Sequence, residues 1–205
     1  PDVALPWVRA LEKACAWAPG ARSVDEATKL IAEAINKHPK LVYDRTARQF
    51  VDNDTDTFNL TYFLSELDNA ESIAIDCRGT ATAVIFFANL LGADLSPLTI
   101  ENSVAGAGGI KSKNVSTFTS GTWAPVSWGW HELALAPGIL LDPTGAPVPG
   151  GSVPGTPWLP PGVGREQLIY DATLDVNEPV PILPVRMPLG SSKGGASGYR
   201  FYLVV

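Results

Sequence analysis

The chain has 205 residues, of which 45% are hydrophobic and 18% are charged, a composition typical of one soluble, well-packed domain. Its formal net charge of −6 at pH 7 disfavours nucleic acid or an anionic membrane surface as a partner. The longest apolar stretch, Ala81 to Leu95, contains polar residues and is shorter than the roughly 20 residues that a membrane span needs. Composition therefore predicts a soluble single domain over 1–205, with neither nucleic acid nor a membrane as partner.

The first third of the chain has helical periodicity. Apolar residues from Trp7 to Ala18 recur at helical spacing and predict a first helix. Cys15 belongs to this apolar stripe and is therefore expected in the core. Ser23 followed by Glu26 is a capping-box signature, which predicts a second, amphipathic helix directly after it.

Cys77 opens the most apolar helix that the sequence predicts. The run from Val84 to Leu91 is apolar around most of its circumference, so this helix is expected to be buried on nearly all sides. Asp76 is the predicted N-cap and Gly92 the predicted C-terminal glycine. A thiol at a helix N-terminus lies at the positive end of the backbone dipole, which favours the thiolate.

After this helix the pattern becomes that of strands. Two stretches rich in Gly, Ser, Thr or Pro, 105–129 and 143–164, are predicted as long loops. Helices followed by strands predict an α+β domain in which the helices pack on an antiparallel sheet. Short alternating or apolar runs predict the following strands: Leu98–Val104, Trp130–Leu135, Gly138–Asp142, Gln167–Val176 and Tyr199–Val205.

The segment around His131 carries the second candidate feature. Two apolar runs flank Ala136-Pro137-Gly138, which predicts a β-hairpin. A two-residue loop places His131 and Asp142 on one face of that hairpin, with Cβ atoms roughly 5–8 Å apart, whereas an odd-length loop separates them. A carboxylate beside a histidine orients the ring and stabilises its charged form. Asp171, in Tyr170-Asp171-Ala172, is the reserve candidate for this role.

A cysteine that opens a buried helix, then a histidine strand, then Asp-Pro at the end of the next strand together resemble the transglutaminase-like superfamily of the papain-like fold. The resemblance covers about residues 23–145, and the loop-rich extension 143–205 is expected to complete the sheet. It implies that Cys77 attacks a carbonyl as a thiolate, that His131 is the general base and acid, and that Asp142 orients His131. The chain departs from the family pattern at Asp76-Cys77-Arg78-Gly79, because members often have a small residue before the cysteine and an acidic one after it.

The resemblance also implies an oxyanion hole built on the backbone N–H of Cys77. Its second donor is left open. Trp128, Trp130 and Asn59 are the candidates for that donor or for substrate binding.

The remaining candidate chemistry is limited. His38 follows a predicted helix end and is expected to be structural. With two histidines and no HExxH or CxxC sequence, the chain predicts no metal site and no cofactor. A Cys15–Cys77 disulfide is the alternative to two free thiols in an oxidising compartment, and it would abolish the implied activity.

The sequence thus predicts cysteine-dependent acyl transfer on peptide or protein amides through a Cys77 thioester. Protease, glutamine deamidase and transglutaminase all stay open, because the sequence does not identify the acceptor as water or an amine. One alternative is a catalytically silent transglutaminase-like domain that serves as a protein-binding module. Another is an effector or toxin domain released by cleavage before Pro1, secreted or delivered within a larger precursor. No signal peptide is predicted, and oligomeric state and localisation are left open.

Overall fold

The computed structural model describes residues 5–47, 49–52, 57–101, 110–117, 124–128, 130–136, 168–176, 187–188 and 198–201. Within these ranges the protein is a mixed α+β protein with its helices in the first half, as the sequence predicts. The helices are α1 Leu5–Trp17, α2 Val24–Asn36, α3 Leu60–Asn69 and α4 Cys77–Asn89. The strands are β1 Leu41–Tyr43, β2 Ile73–Ile75, β3 Ser96–Glu101, β4 Ile110–Thr117, β5 Ala124–Trp128, β6 Trp130–Leu135, β7 Leu168–Tyr170, β8 Leu174–Val176, β9 Met187–Pro188 and β10 Gly198–Phe201.

The described strands form three sheets. The largest has the order β10-β3-β6-β7-β9, and all of its neighbouring strands are antiparallel. Strands β5, β4 and β8 form a second antiparallel sheet, and β1 pairs with β2 in parallel. The antiparallel sheet predicted from the sequence is therefore present, with β6 as its central strand.

Two sequence predictions about the strands need correction. The stretch 105–129 is not a continuous loop, because β4 and β5 lie within it and pair with each other. The strand predicted over Gln167–Val176 is two strands, β7 and β8, which belong to different sheets. Both differences come from long-range pairing, which local composition does not encode.

The second helix begins as predicted. The Ser23 hydroxyl accepts a hydrogen bond from the Glu26 backbone N–H at 3.1 Å, which confirms Ser23 as the N-cap. The Glu26 carboxylate reaches one residue further back than in a capping box and accepts from the Arg22 N–H at 2.9 Å. These two bonds satisfy backbone donors at the helix start that have no intrahelical partner.

The prediction that Cys15 lies in the core is wrong. The buried positions along α1 and directly after it are Ala10, Ala14 and Ala18, spaced four residues apart, and Cys15 lies on the exposed side. These small side chains allow the helix to approach its neighbours closely. Both Trp7 and Leu11 are exposed as well.

The core beneath α4 is largely aromatic. The rings of Phe86 and Phe87 contact each other at 5.2 Å, and Phe87 also meets Trp17 at 4.8 Å and Phe63 at 6.0 Å. Most of α4 is buried, as the sequence predicts. Helix α4 packs against both α2 and β6. These contacts position its N-terminus relative to the sheet.

Helix α2 also holds the chain segment that follows β7. The Asn36 amide donates to the Ala172 carbonyl at 3.0 Å, and the Tyr170 hydroxyl donates to the Asp25 carboxylate at 2.5 Å. These bonds fix the position of Asp171 between Tyr170 and Ala172. In the part of the chain that the structure describes, no helix has the length and apolar character to cross a membrane.

Candidate active site

Cys77 is the first residue of α4 and is held there by its neighbour Asp76. The Asp76 carboxylate accepts a hydrogen bond from the Gly79 N–H at 2.7 Å, and the Asp76 carbonyl accepts from the Thr80 hydroxyl at 2.7 Å. The predicted N-cap is thereby confirmed. The Cys77 side chain lies at the positive end of the helix dipole and is buried, with 5% of its surface exposed.

Both cysteines are free thiols. Cys15 is exposed and Cys77 is buried, and no disulfide joins them. The disulfide alternative is therefore wrong for this structure. The Cys77 sulfur is therefore not consumed in a disulfide.

His131 is the second residue of β6 and points to the same face of the sheet as Leu133 and Leu135, because side chains alternate along a strand. Its Nε2 lies 2.8 Å from the Asp171 Oδ2, and both side chains are buried. The other Asp171 oxygen, Oδ1, accepts from the Thr173 N–H at 2.9 Å. The carboxylate is therefore fixed by bonds to both of its oxygens.

The register of the sheet explains why Asp171 meets His131. Strands β6 and β7 are antiparallel, with Ala134 opposite Tyr170. Extending this register by one residue puts Asp171 opposite Leu133, so His131 is its diagonal neighbour on the same face. This diagonal relation brings together two residues that lie 40 positions apart in the sequence.

The electrostatics of the site favour a charged His131. Burial lowers the pKa of the imidazole, but the Asp171 carboxylate, through its charge and its hydrogen bond, and the nearby Cys77 sulfur more than offset this effect. The pKa of His131 is therefore raised well above its ordinary 6.5. Because Nε2 is bonded to Asp171, we infer that Nδ1 is the ring nitrogen on the Cys77 side.

The structure therefore puts the reserve candidate beside His131. Asp142 lies outside the described residues, as does the predicted strand Gly138–Asp142. At Ala134 and Leu135, β6 is flanked by β3 on one edge and by β7 on the other, so here it is an interior strand. Among the described residues, Asp171 is the carboxylate that contacts the His131 ring.

The other candidates from the sequence lie elsewhere. The Asn59 side chain is the N-cap of α3 and accepts from the Tyr62 N–H at 3.1 Å. Together with Trp7 and Phe58, it lines a cavity of about 730 Å³. Neither Cys77 nor His131 lines this cavity.

The two tryptophans are not equivalent. Trp130 lies next to His131 on β6, so its side chain points to the opposite face of the strand, and it is 36% exposed. Trp128 ends β5, where it pairs with Ile110 in the three-stranded sheet. The backbone pairing of the described residues therefore puts neither tryptophan on the face of β6 that carries His131.

Sequence reasoning missed one pair of residues beside the site. The Arg78 guanidinium Nε lies 3.9 Å from the Glu132 carboxylate Oε2, and the two side chains are 15% and 4% exposed. Each residue directly follows one of the two reactive candidates, Cys77 and His131. Adjacency in the sequence was the signal that could have identified the pair, once α4 was known to face β6.

The second histidine has a different environment. His38 Nδ1 accepts from the Lys40 N–H at 3.3 Å, and the ring meets the edge of Trp17. Burial and the nearby cations of Lys13 and Lys40 lower its pKa. Among the described residues, no three His, Cys, Asp or Glu side chains are grouped to hold a metal ion.

No family model, curated protein or solved structure matches the chain.

The two histidines predict opposite dependences of stability on pH. The lowered pKa of His38 means that the unfolded state binds more protons below pH 6.5, so stability falls there as the pH falls. His131 has the opposite effect above pH 6.5, because there the folded state binds more protons than the unfolded state. Stability is therefore lost progressively as the pH rises through the folded-state pKa of His131. Urea unfolding of the wild type from pH 6 upward should show this loss, and His131→Gln should remove most of it. An equal slope in both proteins would contradict the assignment of a raised pKa to His131.

Proposed function

We propose that this protein is a cysteine-dependent acyl-transfer enzyme that acts on peptide or protein amides. Cys77 is the nucleophile, His131 the general base and acid, and Asp171 the residue that orients His131. The observation that carries the proposal is the 2.8 Å contact between the His131 Nε2 and the Asp171 carboxylate, on a ring whose charged form the Cys77 sulfur also stabilises. A nucleophile, a base and an orienting group in this relation form the minimal unit of thiol catalysis.

The proposed reaction has two steps. In the first, the Cys77 thiol gives its proton to His131, and the thiolate attacks the amide carbonyl carbon. His131 then returns the proton to the leaving nitrogen, so an amine departs and a thioester forms on Cys77. In the second, His131 takes a proton from water or an amine, which attacks the thioester and restores the free thiol. Water gives hydrolysis or deamidation, and an amine gives a crosslink.

Asp171 supports this cycle because it accepts a hydrogen bond from the Nε2–H of His131. With Nε2 holding a proton, Nδ1 is available to accept the proton of Cys77. The carboxylate also stabilises the imidazolium that forms during the reaction. Its burial and its second bond, from Thr173, prevent it from turning away.

The helix start supplies the electrostatic part of the proposal. The Cys77 N–H is the first of the helix and has no intrahelical acceptor. We assign it to the oxyanion hole, where it would bind the carbonyl oxygen as that oxygen becomes negative. Charge on the sulfur and charge on the oxyanion are both favoured at this end of the dipole.

A transglutaminase-like domain of the papain-like fold is the architecture that fits this chemistry. In its support, the nucleophile starts a buried helix, the base lies on the central strand, and the acid follows the neighbouring strand. The helix packs directly against the base's strand. The resemblance of the sequence to the transglutaminase-like superfamily depends on the same two elements, the helix that Cys77 opens and the strand that carries His131.

One observation favours a different class of function. Cys77 and His131 are each only 5% exposed, so an amide cannot reach the sulfur without some opening of the site. A catalytically silent domain that binds proteins would tolerate such burial. The reactivity of Cys77 separates the two classes.

The test is alkylation by iodoacetamide from pH 5 to pH 9, followed by mass spectrometry of the peptides that contain each cysteine. Cys15 is exposed and serves as an internal reference, since an ordinary thiol ionises near pH 8.5. Cys77 is expected to retain reactivity at pH values where Cys15 has lost it, and His131→Ala should abolish this advantage. The pH profile is compared and not the absolute rate, because burial slows access. Identical profiles for both cysteines, in wild type and variant alike, would exclude the proposed chemistry.

A further inference from the structure

A second contact joins α4 to β6 directly beside the reactive pair. Arg78 follows Cys77 on the helix, and Glu132 follows His131 on the strand. The Arg78 Nε and the Glu132 Oε2 are 3.9 Å apart, which is an ionic contact too long for a hydrogen bond. Cys77 with His131, and Arg78 with Glu132, therefore join the first turn of α4 to the start of β6.

This pair lies where solvent screening is weak. The Glu132 side chain is 4% exposed and that of Arg78 is 15% exposed. Charges removed from water interact more strongly with their neighbours than surface charges do. Poorly screened charges that follow Cys77 and His131 directly in the chain therefore have the strength to influence a thiol that is itself buried.

The described charges around Cys77 come from three places. Asp76 and Arg78 flank it on its own segment, His131 faces it from β6, Glu132 follows His131 on that strand and contacts Arg78, and Asp171 lies beyond His131 after β7. The carboxylates of this group oppose a thiolate and the cations favour it. Since arginine stays protonated at every working pH, Arg78 is the permanent cation of the group.

We infer that Arg78 and Glu132 are a charge-balancing pair that sets the pH range in which Cys77 is a thiolate. Arg78 favours the thiolate, and Glu132 reduces this effect while it holds Arg78 against β6. Both are positioning residues, because they act through Cys77 and His131 and do not contact the reacting amide. The inference rests on the proposed function and specifies how that site is tuned.

The test uses matched changes of charge. Glu132→Gln removes the negative charge at nearly constant shape, and Arg78→Gln removes the positive one. The double variant removes both, and Arg78→Lys retains the cation without the guanidinium. Glu71→Gln, at an exposed position away from this group, is the control for a change of net charge alone. The measured quantity is the pH midpoint of Cys77 alkylation by iodoacetamide.

The two single variants should shift this midpoint in opposite directions. Glu132→Gln is expected to lower it and Arg78→Gln to raise it, each by about one pH unit, the effect of a unit charge roughly 10 Å away at an effective dielectric near 20. The double variant and Arg78→Lys should both stay near the wild-type midpoint. Glu71→Gln should not move it, because an exposed charge is screened.

Opposite shifts distinguish charge balance from simple support of the fold. If the pair only held α4 against β6, both single variants would loosen the site and shift the profile in the same direction. Shifts of equal sign, or none, would overturn the inference. Circular dichroism establishes which variants fold. If Glu132→Gln does not fold, the alkylation midpoints of Arg78→Gln and Arg78→Lys are compared instead. Charge balance predicts a shift in Arg78→Gln, which loses the positive charge, and none in Arg78→Lys, which keeps it.

A failure of the proposed function has a different signature. It would appear in the wild type itself, as the absence of a His131-dependent reactivity of Cys77 at low pH. A failure of the present inference would leave that wild-type profile intact and appear only in the variants of Arg78 and Glu132.

Discussion

Asp171→Asn is expected to lower the catalytic reactivity of Cys77 by roughly 10²- to 10⁴-fold, the range typical for loss of an effective general base. Both oxygens of Asp171 accept hydrogen bonds, one from His131 and one from the Thr173 N–H. Asparagine has a single acceptor oxygen, so its amide NH₂ must face one of these two groups. If the amide NH₂ faces the ring, His131 Nε2 accepts its hydrogen bond and the ring proton lies on Nδ1. Nδ1 can then no longer accept the proton of Cys77.

The measurement is the rate of Cys77 acylation by p-nitrophenyl acetate near neutral pH. The matched comparison is Asp142→Asn, the same change at the carboxylate that the sequence alone favoured. Asp142→Asn is expected to leave the acylation rate close to that of the wild type. A large loss in Asp142→Asn with little effect of Asp171→Asn would reverse the assignment of the orienting residue.

Gly79→Ala is expected to destabilise the protein at the helix turn that carries Cys77. An added Cβ would lie 2.8 Å from the Ile75 Cγ1 and 3.3 Å from its Cδ1. Ile75 is 1% exposed and cannot easily move away. Overpacking of this kind costs about 1–3 kcal/mol, whereas alanine gains only about 1 kcal/mol over glycine in helix propensity. The net loss in the free energy of unfolding should therefore be up to about 2 kcal/mol.

A double-mutant cycle with Ile75→Ala isolates the steric contact. Ile75→Ala alone should cost about 2–5 kcal/mol, because it opens a cavity in the core. In that background Gly79→Ala should cost little or become favourable, since the clashing atoms are gone. Urea unfolding gives all four free energies. A cost of Gly79→Ala that is the same in both backgrounds would show that the contact with Ile75 is not its cause.

Much of the helical half could be predicted because its signals are local. The capping role of Ser23, the N-cap at Asp76 and the buried helix that starts at Cys77 all follow from residues a few positions apart. The strand Trp130–Leu135 was predicted with the bounds that the structure has. Periodicity alone did not assign the faces of α1, because its buried side is made of alanines and its larger apolar residues, with Cys15, lie outside.

The orienting carboxylate shows the limit of local reasoning. The hairpin argument considered the acid nearest in sequence that could share a face with His131, which was Asp142. The partner in the structure is Asp171, brought there by the pairing of β6 with β7 and held by the bonds from α2 to Tyr170 and Ala172. Which strand becomes the neighbour of β6 depends on the packing of the whole sheet, so no window of the sequence contains the answer.

The sequence by itself determined the chemical candidates: a thiol at a helix start, a histidine on a strand, and so few other cysteines and histidines that this pairing stood out. Tertiary structure brought Asp171 to His131 and Arg78 to Glu132 beside them. The physical reason is the distance along the sequence over which each kind of interaction acts. Caps and amphipathic periods act over a few residues, whereas the contacts of His131 with Asp171 and of Arg78 with Glu132 depend on how a helix and two strands pack together.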